Sequence, residues 1–309
     1  MDPLLVITNA SAGTSDEETL ERALDVLREE ASVEVAATSN PGELDGVLHR
    51  AGSRRIVVAG GDGSLHAVVT ALHRRNELGD RVLGLLPLGT GNDFARGAGI
   101  PLEIEEAARV VLDGEVQPVD VLVDELGGVV VNNVHLGAGA QASRRAVRWK
   151  ERLGSIGVGK VNLGKLGYPI GAAIAAVKPP HLRLHVEVDG VTVADLDHPV
   201  LMVAVGIGRT VGGGAAITPE AEVGDGKADV MVAFATGPVE KLGYVADLAL
   251  RRHHERDDVR YLRATSVAVA GEEFWTSADG EISGPERRRS WRVEPAAYRM
   301  TLPRDTPDA

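Results

Sequence analysis

Three of the four residues Gly60, Gly61, Asp62 and Gly63 are glycine, and Ser64 follows them. A backbone this free of side chains reaches positive φ easily and lets a phosphate approach its amides. The apolar run 56–59 before it reads as a buried strand, while Leu65, Val68, Val69 and Leu72 after it fall on one face of a helix. Ser64 stands where that helix would take its N-cap, so free amides and the positive helix end converge on one spot, which suits an anion. One such loop is also how any tight strand-to-helix turn is made. The arrangement recurs, however: the strand 83–86 runs into Pro87-Leu88-Gly89-Thr90-Gly91-Asn92-Asp93, and two such loops would line one crevice. Asp62, Asp93 and Asp120 are carboxylates at or near strand ends on that side; singly, each is more often a cap or turn residue. Asp279-Gly280-Glu281, taken alone, is an Asp-Gly hairpin turn.

The elements that must hold these loops alternate. Residues 4–8 form a strand that ends in Asn9-Ala10-Ser11-Ala12-Gly13; residues 16–30 form a helix with Leu20, Ala23, Leu24 and Leu27 on one face. A second strand, 33–37, ends at Thr38, and a helix over 41–51 opens on Pro41. Strands alternating with helices imply a parallel sheet whose ligands sit beyond the carboxyl ends of the strands. Asn9 to Gly13, Thr38, Gly61 to Ser64 and Thr90 all occupy that edge. After a helix over 103–113 the rhythm becomes strand-like at 119–124, 129–136, 181–188, 200–207, 228–235, 260–269 and 273–277, with hairpin signals at Asp189-Gly190 and Asp279-Gly280. Residues 139–177 read as helix, loop, helix, and 238–252 as one helix. The strand 297–302 is expected to return to the first domain. The expected architecture is therefore an α/β nucleotide-binding domain over 1–118, completed by 290–309, and a β-rich sandwich domain over 119–289.

Composition bounds the partners. A net charge of −12 argues against a nucleic-acid binder. The absence of cysteine removes disulfides, thiolate chemistry and cysteine-ligated zinc. The opening residues carry no basic region, and the longest apolar stretch, 166–177, is interrupted by Gly167, Pro169 and Gly171 and falls short of the roughly 20 residues a bilayer requires. A cytoplasmic protein is expected.

Gly60-Gly-Asp-Gly-Ser64, followed by Pro87-Leu-Gly-Thr-Gly-Asn-Asp-Phe-Ala-Arg96, resembles the diacylglycerol kinase catalytic domain family, which includes bacterial lipid kinases and the sphingosine and ceramide kinases. The match is to the bacterial soluble branch and extends from Asn9 to Glu281. The resemblance implies an ATP-dependent, Mg²⁺-assisted kinase that phosphorylates a lipid hydroxyl at the membrane surface, most simply diacylglycerol to phosphatidic acid in phospholipid biosynthesis. It implies that Asn9, Ala10, Ser11, Ala12, Gly13, Thr38, Gly60, Gly61, Asp62, Gly63, Ser64, Gly89, Thr90 and Asn92 hold ATP. It further implies that Asp62, Asp93 and Asp120 gather a catalytic Mg²⁺, and that Asp279 or Glu281 accepts the hydroxyl proton. Pro219 to Asp229 resembles a family loop that binds a second, structural Mg²⁺, which would fall here on Glu222, Asp225 and Lys227, partly through main-chain oxygens. This chain departs from the family at Ala10, where proline is usual, and at His66, where asparagine or a similar polar residue is common. His66 reads as a helix histidine facing solvent.

The same Gly-Gly-Asp-Gly loop is shared with NAD kinases and phosphofructokinases, whose acceptors are soluble. A kinase of that kind and a nucleotide-binding regulatory protein without catalysis are the alternatives. Arg144, Arg145, Arg148, Lys150 and Arg152 around Trp149, followed by Lys160, Lys165, Tyr168 and the apolar stretch 170–177, suit docking on a membrane surface and equally a solvated helix face; the runs 251–256 and 287–289 are open to the same two readings. A homodimer is left open.

Overall fold

Continuous aliphatic runs, rather than alternation, mark strands that are buried on both faces. The computed structural model describes residues 3–10, 14–138, 140, 182–235 and 237–304. Within them, β1 (Leu4–Asn9), β2 (Val33–Thr38), β3 (Arg55–Gly60) and β4 (Val82–Pro87) run parallel in the order β4, β3, β1, β2. The central three are the aliphatic runs; β2, at the edge, is mostly half-buried or exposed. Helices α1 (Thr14–Glu30), α2 (Pro41–His49), α3 (Asp62–Arg74), α4 (Asp93–Gly97) and α5 (Ile104–Asp113) carry the chain between strands. Leu24 and Leu27 of α1, Leu65, Val69 and Leu72 of α3 and Ala107 and Val111 of α5 join the strand side chains in one core. Each leucine buried this fully stabilises the fold by about 2 kcal/mol. The start of α2 is fixed locally: Asn40 Oδ1 accepts the Glu43 amide at 3.0 Å, and Glu43 Oε2 accepts the Ser39 amide at 2.8 Å.

The second half is antiparallel. Its strands are β5 (Glu115–Asp124), β6 (Val129–Val130), β7 (Asn133–Gly137), β8 (Leu184–Val188), β9 (Val191–Ala194), β10 (Met202–Gly206), β11 (Thr210–Val211), β12 (Ala215–Ala216), β13 (Ala228–Ala233), β14 (Val259–Ala264), β15 (Ser266–Ala278) and β16 (Glu281–Leu302), with helix α6 (Pro238–Ala249) between β13 and β14. Their order, β14, β13, β10, β7, β15, β16, continues directly into β4 of the first half. The junction is β16 itself. It pairs antiparallel with β15 and β5 and, at Arg299 and Met300, parallel with β4. The expected α/β half followed by a β-rich half is what the chain builds.

Several boundaries differ from the sequence expectation, for identifiable reasons. The strand expected over 129–136 is split into β6 and β7, because the amides of Val131, Asn132 and Asn133 bond a side chain, the Asp279 carboxylate. The strand expected over 260–269 breaks at Thr265, where Asp189 Oδ1 draws in the amides of Thr265 and Ser266 at 3.0 and 2.8 Å. Residues 273–277 are the end of a longer β15, and 297–302 are the end of a 22-residue β16. The expected hairpins form at both Asp-Gly pairs: φ is +47° at Asp189 and Asp279, +79° at Gly190 and +87° at Gly280. The helix-loop-helix expected over 139–177 and the basic and apolar residues placed there lie outside the described residues, Ala140 aside. No helix among the described residues is long and apolar enough to cross a membrane.

Candidate active site

The carboxyl ends of β1, β2 and β3 open on a cavity of about 890 Å³ lined by Thr8, Asn9, Thr38, Gly61, Gly63 and Ser64 among others. Helix α3 starts at Asp62 with Gly61 as its N-cap and no capping side chain. Ser64, expected as the cap, sits inside the first turn; the extended backbone of Gly61 takes the N-cap position three residues earlier. First-turn amides without a capping side chain at a positive helix end suit phosphate. The two glycine loops meet backbone to backbone. A Cβ on Gly61 would lie 2.9 Å from Gly89 Cα, and one on Gly89 only 2.5 Å from Gly61 Cα. Thr90, by contrast, is exposed and is not among the residues that line this cavity.

Asn92, in left-handed conformation at φ +51°, closes the second loop by donating from Nδ2 to the carbonyls of Gly89 and Pro87 at 2.7 and 3.2 Å. Asp62 then ties the loops together: its Oδ2 accepts the Asp93 amide at 3.0 Å and its Oδ1 the Phe94 amide at 2.9 Å. The buried Asp93 carboxylate accepts the amides of Gly213 and Gly214, both at 2.8 Å. Burial raises the Asp93 pKa, the Gly213 amide opposes the rise, and the nearby Asp62 charge reinforces it. A Cβ on Gly91 would lie 3.2 Å from Asp62 Oδ2 and 3.5 Å from Asp93 Oδ2, so one oxygen of each carboxylate faces the same small space.

Asp120 does not join them. Its Oδ2 accepts the Gly226 amide and its Oδ1 the Ala296 amide, each at 2.7 Å, so it clamps the 222–227 loop against β16. Asp62 and Asp93 are thus linked through the second glycine loop, while the hydrogen bonds of Asp120 go to the 222–227 loop and β16. In that loop Asp225 accepts the Lys227 amide at 2.9 Å and forms an ion pair with Arg263, while Glu222 is exposed. Among the described residues no group of three or more His, Cys, Asp or Glu side chains is arranged to hold a metal ion.

A second cavity, of about 240 Å³, lies on the far side of Asp62 and Asp93, and its walls include Leu65, Phe94, Met202, Val211, Ile217 and Leu248. Asp279 is in its wall. The Asp279 side chain is 2% exposed, and its oxygens accept the amides of Val131, Asn132 and Asn133 at 2.7, 2.9 and 3.1 Å. Its Oδ2 also meets His66 Nδ1 at 2.8 Å. His66 therefore does not face solvent as expected: its side chain is 18% exposed and bound to the carboxylate it was not expected to reach. Glu281 is exposed and lines the larger cavity instead. Sequence reasoning also missed Gly213 and Gly214, although three consecutive glycines, Gly212 to Gly214, all at positive φ, were a visible sign of a close backbone approach. Gly60, Gly61, Asp62, Gly63, Ser64, Gly89 and Asn92 are brought together as expected, with Asn9 and Thr38 across the cavity. Ala10 follows directly on β1 and bonds its amide to the Thr38 carbonyl at 3.0 Å. Ser11, Ala12 and Gly13 lie outside the described residues.

Residues 3–123 match the family model described as the diacylglycerol kinase catalytic domain, and residues 132–302 that described as the YegS C-terminal NAD kinase beta sandwich-like domain. A protein of Xanthomonas oryzae pv. oryzae (strain MAFF 311018) named "Probable lipid kinase YegS-like" is 31% identical over 319 residues, which cover 98% of this chain and 96% of that protein. The chain belongs to the YegS-like lipid kinase family. A YegS-like protein of Cronobacter sakazakii (strain ATCC BAA-894), with the same printed name, is 29% identical over 98% of this chain and 96% of its own length. The fold is also that of a solved structure titled as a diacylglycerol kinase from Bacillus anthracis str. Sterne, at a TM-score of 0.73 and 23% identity over 97% of both chains.

Two observations test whether this YegS-like site fits the groups a kinase uses. Gly63 lines the larger cavity and a Cβ there would meet nothing within 4 Å, so its flank is open to a phosphate. Oδ2 of Asp62 and Oδ2 of Asp93 come together near Gly91, each accepting one main-chain amide with lone-pair capacity left, and carboxylate oxygens are the hard donors Mg²⁺ takes when phosphates and waters complete its shell. Both groups fit.

Proposed function

We propose that this YegS-like kinase transfers the γ-phosphoryl group of ATP to the primary hydroxyl of a lipid, diacylglycerol in the first instance, giving ADP and phosphatidic acid. The observation that carries the reading is Asp279, a buried carboxylate in the wall of the apolar cavity that bonds a residue, His66, of the polar one. A phosphoryl transfer asks the protein to align a donor and an acceptor and to take one proton. The amides at the start of α3 and the glycine loops bind the triphosphate. The apolar cavity takes the glyceride end of the acceptor and excludes water from the hydroxyl. As the acceptor oxygen bonds to the γ-phosphorus and the bond to the β-phosphate bridging oxygen breaks, the hydroxyl proton passes to the Asp279 carboxylate. Asp62 and Asp93 would hold Mg²⁺, which, when bound, neutralises charge on the phosphates. Glu281, exposed on the donor side, orients rather than deprotonates.

The test is transfer of labelled γ-phosphate from ATP in mixed micelles to a panel of diacylglycerol, monoacylglycerol, ceramide, sphingoid base and phosphatidylglycerol, with NAD as a soluble acceptor. Labelling of diacylglycerol above the rest is expected. Asp279→Asn should cut it at least about 100-fold with ATP binding retained, and Glu281→Gln much less. Labelling of NAD and no lipid would overturn the acceptor class.

A further inference from the structure

The pair formed by His66 and Asp279 has no counterpart among the residues expected from the sequence. We infer that His66 is a positioning residue for Asp279: from the larger cavity its Nδ1 fixes the carboxylate in the wall of the apolar one, so that the rate of transfer, rather than the binding of ATP, depends on it. This rests on the lipid-kinase reading of the site.

Four bonds converge on the Asp279 carboxylate. Oδ1 accepts Asn132 and Asn133, Oδ2 accepts Val131, and all three donors are consecutive main-chain amides where β6 gives way to β7. The fourth partner is the only side chain bonded to it among the described residues, and it comes from the other half of the molecule, from α3. His66 follows Asp62 by four residues, so both sit on one face of α3. One helix thus presents the phosphate-facing amides at its start, the carboxylate that ties the glycine loops together, and one turn on the group that holds the proton acceptor. Donor and acceptor geometry are coupled through α3: a shift of that helix moves the triphosphate site and Asp279 together.

The charged groups facing His66 are Asp279 and Glu281 from the β15–β16 turn and Arg74 from its own helix; Thr70 Oγ1 lies 3.4 Å from Nε2. The bond to Asp279 raises the His66 pKa most, Glu281 adds to the rise, and burial and Arg74 oppose it. Position matters more than charge here. The amide nitrogen of an asparagine lies two bonds from Cβ, as Nδ1 of histidine does, so asparagine can offer a donor at the same point without a titrating ring.

The experiment compares the unmodified protein with His66→Leu, which loses the donor, and His66→Asn, which keeps it, in the lipid-labelling assay from pH 5.5 to 9. His66→Leu is expected to lower kcat by about 100-fold with KM for ATP changed less than about 3-fold, and His66→Asn to restore most of kcat across the whole pH range. A kcat for His66→Leu within about 3-fold of the unmodified protein, or His66→Asn as slow as His66→Leu, overturns the inference. A second measurement needs no turnover: the imidazole resonances of His66, titrated by NMR, should shift to lower pKa in Asp279→Asn. An unmoved titration overturns the pairing, whereas an unmodified protein that labels no lipid overturns the lipid-kinase reading instead.

Discussion

Replacing Gly89 by alanine separates the structural contribution of the two glycine loops from their contribution to ligand binding. The new Cβ would lie 2.5 Å from Gly61 Cα and 2.7 Å from Asn92 Oδ1. Carbon atoms in contact rest about 3.5 to 4.0 Å apart, so the loops must part by about 1 Å. Neither neighbour is a free side-chain end: one is main chain, and the other belongs to an amide held by the carbonyls of Pro87 and Gly89. Forcing extra volume into such a contact costs about 1–3 kcal/mol, and a 1 Å displacement at a reacting centre costs up to about 100-fold in rate. Gly63→Ala is the matched control. Its Cβ meets nothing within 4 Å, and its φ is not in the left-handed region, so it should unfold at the same or slightly higher urea concentration. It nevertheless projects where a phosphate would lie, and should weaken ATP. Urea unfolding paired with calorimetric titration of ATP gives both readings for each variant. An unfolding free energy for Gly89→Ala within about 0.5 kcal/mol of the unmodified protein, or an unchanged ATP affinity for Gly63→Ala, would refute the account of the loops.

Asp229 is buried, and burial together with Glu220 and Glu222 pushes its pKa up to about 7 from 3.8. The native state therefore holds this proton more firmly than the unfolded chain, so the stability it contributes is complete below about pH 4 and is lost as pH rises through 7. Asp229→Asn should accordingly be no more stable than the unmodified protein near pH 4 but more stable at pH 8, by up to about 4 kcal/mol, in urea unfolding with EDTA present; equal gains at both pH values would exclude the titration. The Tyr298 hydroxyl is fully buried without a hydrogen-bond partner among the described residues. Tyr298→Phe should raise the unfolding free energy by about 1 kcal/mol, and a loss of stability would reveal a hydroxyl contact.

What was legible in the sequence was the chemistry of adjacent residues. Gly60 to Ser64, Gly89 to Asn92 and the two Asp-Gly turns announce themselves because a loop or hairpin is specified by its own few residues. The alternation of aliphatic strands with amphipathic helices likewise carried the α/β half. What could not be read is what the chain assembles from distant parts. The carboxylate of Asp279 is completed by amides at 131–133 and by His66, and no periodicity links those positions. Asp120 looked like a partner of Asp62 because both end strands on the same side. Its allegiance to Gly226 and Ala296 depends on where β16 runs. That strand was itself disguised by Pro285 and by Arg287, Arg288 and Arg289. Their charges read as a solvated run, yet Arg287 pairs with Glu273 and Arg289 with Asp124 across the sheet, and Arg289 also pairs with Glu286 along its own strand.

The long strand β16 also sets the order in which the molecule can be completed. It lies between β15 and β4, and every other strand among the described residues precedes it in the chain. During synthesis, β15 and β4 therefore each present an unpaired edge until residues 281–302 have left the ribosome, and exposed edges of this kind recruit foreign strands. The turn at Asp279 is the start of that closing segment. With Asp279 as the proposed proton acceptor, activity and protection from aggregation thus arrive together, with β16, and a chain stalled before it would have neither.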